Sequence, residues 1–128
     1  MPQHFSRTIS STFEDILSRT KDGLKREGFG VLTDIDFSAT LKEQLDVDFQ
    51  NYRILGACNP SLAYQALKAN KKIGAMLPSN IIVQERAEGY IEVSTVDPAE
   101  NLNIVGNPDL AAITEEVRSR LKSVVKGL

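Results

Sequence analysis

The sequence is poor in the residues that build disulfides and metal sites, since its 128 residues contain one cysteine, Cys58, and one histidine, His4. A single cysteine excludes an intrachain disulfide and a zinc site built mainly from cysteine, and it suits a reducing compartment. His4 lies close to the N-terminus, where a solvated side chain is the ordinary case. The sequence therefore offers no thiol–imidazole motif on which a mechanism could be built.

The chain also lacks an excess of charge of either sign, because 15 basic residues stand against 17 acidic ones and leave a net charge of −2. Such a balance gives no long-range field for the phosphates of nucleic acid or for anionic lipid. No apolar run approaches the roughly 20 residues that cross a bilayer, and the first residues do not resemble a signal peptide. We therefore expect a cytoplasmic protein with neither nucleic acid nor membrane as a partner.

Linkers and low-complexity tracts are missing as well. With 41% hydrophobic and 25% charged residues, the composition is that of an ordinary globular protein. The length is near the commonest size of one domain and is sufficient to bury a core. Residues 1–128 are therefore expected to form a single domain.

Helix signals are present at three main places. A capping box at Ser11-Thr12-Phe13-Glu14 precedes apolar residues at helical spacing, which run to a stop at Gly28. Two Asn-Pro pairs, at 59–60 and 107–108, place an N-cap residue before a proline at the first helical position. The first pair opens a helix with a small-residue face, and the second opens a long C-terminal helix with one apolar stripe. A shorter helix is expected over 38–45.

Strand signals lie between these helices. Residues 31–37 alternate apolar and polar side chains, as in a half-buried strand, and 52–57 form a second candidate strand. Residues 81–86 and 90–96 flank Glu88-Gly89, which predicts a β-hairpin. Helices and strands do not alternate regularly, so the pattern predicts an α+β fold in which helices pack on one face of an antiparallel sheet.

Four phrases of the sequence carry a family resemblance. They are Gly28 to Asp36 (beginning Gly-Phe-Gly-Val-Leu-Thr), Ala57 to Ala63 (beginning Ala-Cys-Asn-Pro), Leu77 to Asn80 and Val96 to Pro98. In order and spacing they resemble the bacterial and archaeal domain-of-unknown-function family 302, over nearly the whole chain. The resemblance implies a fold similar to one repeat of the TATA-binding protein, with a curved antiparallel sheet backed by helices and often assembled as a homodimer. It implies no known activity, and the chain lacks the basic surface that DNA would require.

The sequence departs from many members of that family at two positions. They carry a cysteine where this chain has Ser79 and a histidine where it has Tyr64, so that a Cys, His, Cys cluster can be imagined in them. This chain keeps only Cys58, and one thiolate does not satisfy the three or four ligands of a zinc site. Neither a metal nor another cofactor is therefore expected.

Two pairs of aspartates at two-residue spacing are alternative cation ligands. Asp34 and Asp36 project from one face of a strand, and Asp46 and Asp48 repeat the spacing in a loop. An EF-hand loop counted from Asp46 fails, because the positions that require glycine and glutamate hold other residues. Exposed polar positions on a half-buried strand explain the first pair equally well.

The first functional hypothesis is a domain that binds a small molecule or a protein partner at the turns where the family-like phrases cluster. The predicted ligand-binding residues are Cys58, Asn59, Pro60, Tyr64, Pro78, Ser79 and Asn80. An alternative is a thiol-dependent enzyme or redox sensor, because the helix N-terminus beyond Cys58 can lower the pKa of a thiol. A small buried cysteine is the ordinary interpretation of that residue, and no catalytic residue is assigned. A third hypothesis is a purely structural dimerisation module.

Overall fold

The computed structural model describes residues 4–76, 78–99 and 108–128, which contain a five-stranded sheet and helices packed against it. The strands are β1 His4–Ser10, β2 Gly30–Asp36, β3 Tyr52–Cys58, β4 Ser79–Ala87 and β5 Tyr90–Val96. The α-helices are α1 Phe13–Arg26, α2 Phe37–Leu45, α3 Pro60–Ala69 and α4 Pro108–Lys126, and a 3₁₀ helix covers Lys71–Met76. None of the helices within these ranges is both long and apolar enough to cross a membrane.

Helix α1 begins one residue later than the capping box predicts. Thr12 has extended backbone angles (φ −92°, ψ 155°) and is the N-cap, and its side chain accepts a hydrogen bond from the backbone N–H of Asp15. The Ser11 hydroxyl donates to the Asp15 carboxylate at 2.7 Å. The acidic residue that completes the helix start is therefore Asp15, one position beyond the predicted Glu14.

Helix α1 ends at Arg26, and Gly28 follows the C-cap residue Glu27 as the predicted stop. Gly28 has a φ of 85°, in the left-handed region where a glycine is favoured. The N–H of Gly28 donates to the carbonyl of Lys25 at 3.0 Å, and the N–H of Phe29 donates to the carbonyl of Leu24 at 2.9 Å. These two bonds form a Schellman motif. Phe29 and Leu24 also belong to the core, so the helix end is anchored by packing as well as by hydrogen bonds.

The strands form one open sheet in the order β1-β5-β4-β3-β2. Every neighbouring pair is antiparallel, including the predicted β4–β5 hairpin, whose turn holds Gly89 at a φ of 83°. Because the sheet does not close, β1 and β2 are its edge strands. The α+β class and the antiparallel sheet are thereby confirmed.

The main core lies between one face of the sheet and helices α1 and α4. Alternate residues of the three central strands enter this core, as the period of two in a strand requires. Its buried strand residues include Leu55, Ile81, Val83, Ile91 and Val93, and its helix residues include Ile16, Leu24, Leu121 and Val124. The stripe predicted on the C-terminal helix therefore faces the sheet.

A smaller apolar cluster lies where α3 meets α4. Ala66 of α3, Ile73 of the 3₁₀ helix and Leu110 of α4 are buried in it. Helix α3 begins as predicted, because the side chain of Asn59 accepts a hydrogen bond from a backbone N–H of the first turn and Pro60 takes the first helical position. This cluster adjoins the candidate site described below.

Strand β2 differs from the half-buried strand that its alternation predicts. Ile35 is 45% exposed, and Leu32, at a β-bulge, is 65% exposed. Val31 is the β2 residue that packs against the main core. Farther along the strand, Asp34 forms an ion pair with Lys21 of α1 instead of an apolar contact. The bulge at Leu32 shifts the alternation, so that Asp34 pairs with Leu55 on the helix side of the sheet and Ile35 lies on the opposite face.

Candidate functional site

A cavity of about 290 Å³ opens at the end of the sheet where β3 and β5 finish and β4 begins. Helices α3 and α4 enclose it from the other side. The strand-end wall of the cavity contains Ala57, Cys58, Asn59, Ser79, Asn80 and Thr95. The helix wall contains Leu62, Ala63, Ala66, Leu110, Ile113 and Val117. Phe29, Pro78, Val96 and Pro98 also line the strand-end side, so that side mixes polar and apolar residues, whereas the helix wall is apolar.

Five of the seven predicted ligand-binding residues line this cavity. They are Cys58, Asn59, Pro78, Ser79 and Asn80. The other two, Pro60 and Tyr64, are exposed on α3 and are not part of the lining. Tyr64 is 64% exposed, and the ammonium group of Lys68 lies 5.3 Å from the centroid of its ring. The structure thus brings five residues to one place, and their role in binding stays a prediction.

The helix wall holds no residue that the sequence singles out as functional. Its signals are the small-residue face of α3 and the apolar stripe of α4, and both patterns ordinarily predict packing alone. Ala66 and Leu110 do pack together in the smaller cluster. Space remains beside them because the side chains of Ala63 and Ala66 are too short to fill it.

Part of the polar surface of the cavity is already used within the protein. The Thr95 hydroxyl donates to the backbone carbonyl of Asn80 at 2.9 Å, and the side-chain oxygen of Asn59 caps α3. Within the described part of the chain, the Ser79 hydroxyl, the Asn80 side-chain amide and the Cys58 thiol form no hydrogen bond. Of these three neutral groups, the Ser79 hydroxyl lies on the same face of the sheet as the core residues Ala57 and Ile81, whereas the Cys58 and Asn80 side chains alternate to the opposite face.

Cys58 is a half-buried free thiol at the end of β3. Burial raises the pKa of its thiol, which keeps the neutral form dominant near neutral pH. His4 lies on β1, three strands away, which corresponds to about 14 Å at the usual spacing of strands. The histidine is therefore too far away to act as a base. This arrangement therefore provides neither an activated thiol nor a base, as the thiol-dependent hypothesis would require.

No charged side chain lies on the cavity wall among the residues that the structure describes. The nearest carboxylate along the chain, Asp97, is only 3% exposed and accepts a hydrogen bond from Nε of Arg118 at 2.8 Å. Its other oxygen accepts the N–H of Ala99 at 3.0 Å. The guanidinium of Arg118 also stands 5.5 Å from the ring centroid of Phe5. The pair joins the end of β5 to α4 and places no charge on the part of the cavity wall that the structure describes.

The first pair of aspartates considered as a cation site has protein partners. The Asp34 carboxylate accepts hydrogen bonds from Nζ of Lys21 at 2.8 Å and from Nη1 of Arg53 at 3.0 Å. Partial burial opposes ionisation of Asp34, but these two bonds hold its pKa below the ordinary value. Asp36 is the N-cap of α2 and lies 3.7 Å from Nε of Arg53. Both residues are explained by structural roles.

The second pair of aspartates lies beyond the end of α2. Asp46 and Asp48 both form ion pairs with Nζ of Lys42, at 3.0 and 3.2 Å. Across residues 4–76, 78–99 and 108–128, no group of three or more His, Cys, Asp or Glu side chains is placed to hold a metal ion.

Exposed apolar side chains concentrate between residues 32 and 49. Of the nine large hydrophobic residues exposed in the described ranges, six lie in this segment: Leu32, Ile35, Phe37, Leu45, Val47 and Phe49. These six residues are named the β2–α2 surface. Helix α2 itself contains no buried residue. This concentration along the chain makes the segment a candidate interaction surface.

Comparisons with known proteins cover almost the whole chain. A family model described as "Domain of unknown function DUF302" matches residues 5–128. Among solved structures, the crystal structure of an uncharacterized conserved DUF302 protein from Bacillus stearothermophilus matches with a TM-score of 0.87 and 27% sequence identity. That match covers 96% of this chain and 95% of the other. No curated protein matches the sequence.

Proposed function

The chain belongs to the DUF302 family, and from that premise we propose that it binds a small molecule, without catalysis, in the cavity at the end of the sheet. One observation carries the proposal: residues from separate family-like phrases meet on the wall of a single cavity. Ligand sites commonly combine a largely apolar lining with a few polar groups that fix orientation. The strand-end and helix walls together have this composition.

The cavity of about 290 Å³ opens at the end of the sheet and leaves apolar side chains of its helix wall without protein contacts on that side. Burial of such apolar surface by a bound molecule is favourable. Ala63 and Ala66 face this space from α3, where longer apolar side chains would fill it. A bound molecule would supply the contacts that these short side chains leave unmade.

Native mass spectrometry of the protein purified from the organism that encodes it tests the proposal. We expect a non-covalent adduct on the folded protein. Ala63→Phe, which fills the cavity, should abolish the adduct, whereas Ala112→Phe, on the exposed side of α4, should retain it. An adduct that survives in Ala63→Phe would place the ligand elsewhere. A wild-type protein that carries no adduct would count against a resident ligand.

We propose in addition that the protein forms a homodimer through the β2–α2 surface. Helix α2 has nine residues and none of them is buried, and an isolated helix of this length is marginal in water. Packing against a second copy would supply the missing burial, in agreement with the homodimer that the family resemblance implies. Lys42 is the only basic residue of α2 and already pairs with Asp46 and Asp48. The surface therefore lacks the positive charge that nucleic acid or anionic lipid would need.

Sedimentation equilibrium tests this second proposal. Leu45→Glu should shift the protein from dimer to monomer, because a carboxylate would be buried without a partner in the interface. Tyr90→Glu, at an exposed position on the hairpin outside the β2–α2 surface, should leave the dimer intact. A wild-type protein that stays monomeric at high concentration would contradict the proposal.

Three further expectations from the sequence remain predictions. They are a cytoplasmic location, the absence of nucleic acid and membranes as partners, and the likeness of the fold to one repeat of the TATA-binding protein. The net charge of −2 supports the second of them. The family resemblance supports the third.

A further inference from the structure

We infer that the cavity takes an uncharged, mainly apolar molecule whose polar end lies against the strand-end wall. This inference rests on the proposed function and names the class of ligand for the same cavity. Three features of the wall support it: the lack of a charged partner among the described lining residues, the capped N-terminus of α3, and the restriction of polar side chains to the strand-end wall.

The first feature is the lack of a charged partner for a ligand. The lining residues that the structure describes include no Asp, Glu, Lys, Arg or His. Asp97 lies next to the lining in sequence, but its carboxylate is bonded to Arg118 and to the N–H of Ala99. A charged group moved into such a site would lose its hydration without gaining an ion pair, which strongly disfavours binding.

The second feature is that the N-terminus of α3, which borders the cavity, is already capped. An uncapped helix N-terminus attracts anions through its unpaired N–H groups. Pro60 has no N–H, and the N–H of Leu62 donates to the side chain of Asn59 at 3.2 Å. The N–H of Ala63 donates to the carbonyl of Asn59 at 2.8 Å.

The third feature is the restriction of polar side chains to the strand-end wall. The Ser79 hydroxyl lies on the strand-end wall, on the same face of the sheet as the core residues Ala57 and Ile81, and the helix wall opposite it is apolar. Cys58, another lining residue, stays uncharged because burial raises the pKa of its thiol. A molecule with one polar end and an apolar body would satisfy both walls at once.

Three probes that share a six-carbon chain and differ in charge test the inference: hexanamide, hexanoate and hexylamine. Amide ¹H–¹⁵N spectra of the whole protein at neutral pH would follow Ala63, Ala66 and Asn80 during each titration. We expect hexanamide to shift these signals and to bind at least about tenfold more tightly than either charged probe, because an unpaired charge resists burial.

A conservative variant tests where the polar end lies. Ser79→Ala should weaken hexanamide binding about fivefold, the usual effect of losing one neutral hydrogen bond. Ser10→Ala, at an exposed position on the edge strand β1, should leave the affinity unchanged.

The outcomes separate this inference from the proposed function. Hexanoate or hexylamine that binds at the cavity as tightly as hexanamide would overturn the uncharged class and leave the cavity site intact. Unchanged hexanamide affinity in Ser79→Ala would overturn the assignment of the polar end. If none of the three probes shifts a cavity signal, both the inference and the proposed function fail.

Discussion

At the scale of single residues, Gly28 links the end of α1 to the candidate site. Its φ is 85°, and a Cβ added there would stand 2.9 Å from Nδ2 of Asn59 and 3.1 Å from Nη1 of Arg120. Gly28→Ala should therefore combine a left-handed backbone strain of about 1–2 kcal/mol with displacement of Asn59. We expect urea unfolding to show a loss of stability larger than the backbone strain alone.

Gly89→Ala is the matched control for that variant. Its φ of 83° is almost the same, and nothing lies within 4 Å of the added Cβ. The control should lose only the backbone contribution, so the difference in unfolding free energy between the two variants measures the contact with Asn59 and Arg120. Equal losses would show that the contact costs nothing.

Asp34 should give the fold a dependence on acid pH. Partial burial opposes ionisation of its carboxyl, but the hydrogen bonds from Lys21 and Arg53 keep its pKa below the ordinary value. A carboxyl of this kind stabilises the fold above its unfolded pKa of about 4 and loses that contribution as the pH falls through the lower folded value. Between about pH 5 and pH 3, Asp34→Asn should therefore lose less unfolding free energy than the wild type, by up to about 1 kcal/mol.

Urea unfolding at several pH values measures this difference. Asp48→Asn is a suitable control, because the Asp48 side chain is almost fully exposed and its pair with Lys42 lies on the surface. The control should follow the wild-type curve. If the unfolding free energy of Asp34→Asn keeps the full wild-type pH dependence, Asp34 is not the source of that dependence.

At the scale of elements, the ion pair of Asp97 and Arg118 fastens α4 to the end of β5. Arg118→Met keeps an unbranched side chain but leaves the buried Asp97 carboxylate without its charged partner. We expect a loss of about 2–3 kcal/mol in unfolding free energy. Arg19→Met removes a comparably short ion pair with Asp15 at an exposed site and should cost less than about 1 kcal/mol. Similar losses in the two variants would contradict the structural role of the buried pair.

Elements whose signals lie in neighbouring residues could be predicted from the sequence. The start of α3 at Asn59-Pro60, the stop after α1 at Gly28 and the hairpin around Gly89 all occur where the sequence places them. Caps and tight turns are decided by backbone sterics over a few residues, which explains this agreement. The strand-end part of the candidate site follows from the same turns, so most of its residues could be predicted as well.

Features that depend on strand order or helix orientation could not be predicted in this way. An alternating pattern does not distinguish an edge strand from a central one, so the exposure of Ile35 on β2 is visible only in the sheet. The exposure of Tyr64 depends on which side of α3 faces α4. Ile113 and Val117 join the cavity only because α4 passes beside α3, far away in the sequence. The helix wall is therefore a tertiary feature.

At the scale of the whole molecule, the two apolar clusters differ in size and should differ in stability. The larger joins the sheet to α1 and α4, whereas the smaller consists of Ala66, Ile73 and Leu110 with two partly buried neighbours. Local opening requires less free energy where fewer apolar contacts are broken. Native-state hydrogen exchange should therefore give lower opening free energies for the amides of α3 and the 3₁₀ helix than for those of β3, β4 and β5.

Ligand binding should reduce that difference, because the cavity lies between α3 and the strand ends. Opening of α3 dismantles the helix wall, so a ligand that binds only the closed form adds RT ln(1 + [L]/Kd) to its opening free energy. With hexanamide at about ten times its Kd, we expect α3 amides to gain about 1.4 kcal/mol of protection. In Ala63→Phe the same addition should have no effect, because the cavity is filled. If free α3 is already as protected as β4, the cavity belongs to the rigid core and the predicted difference in local stability is wrong.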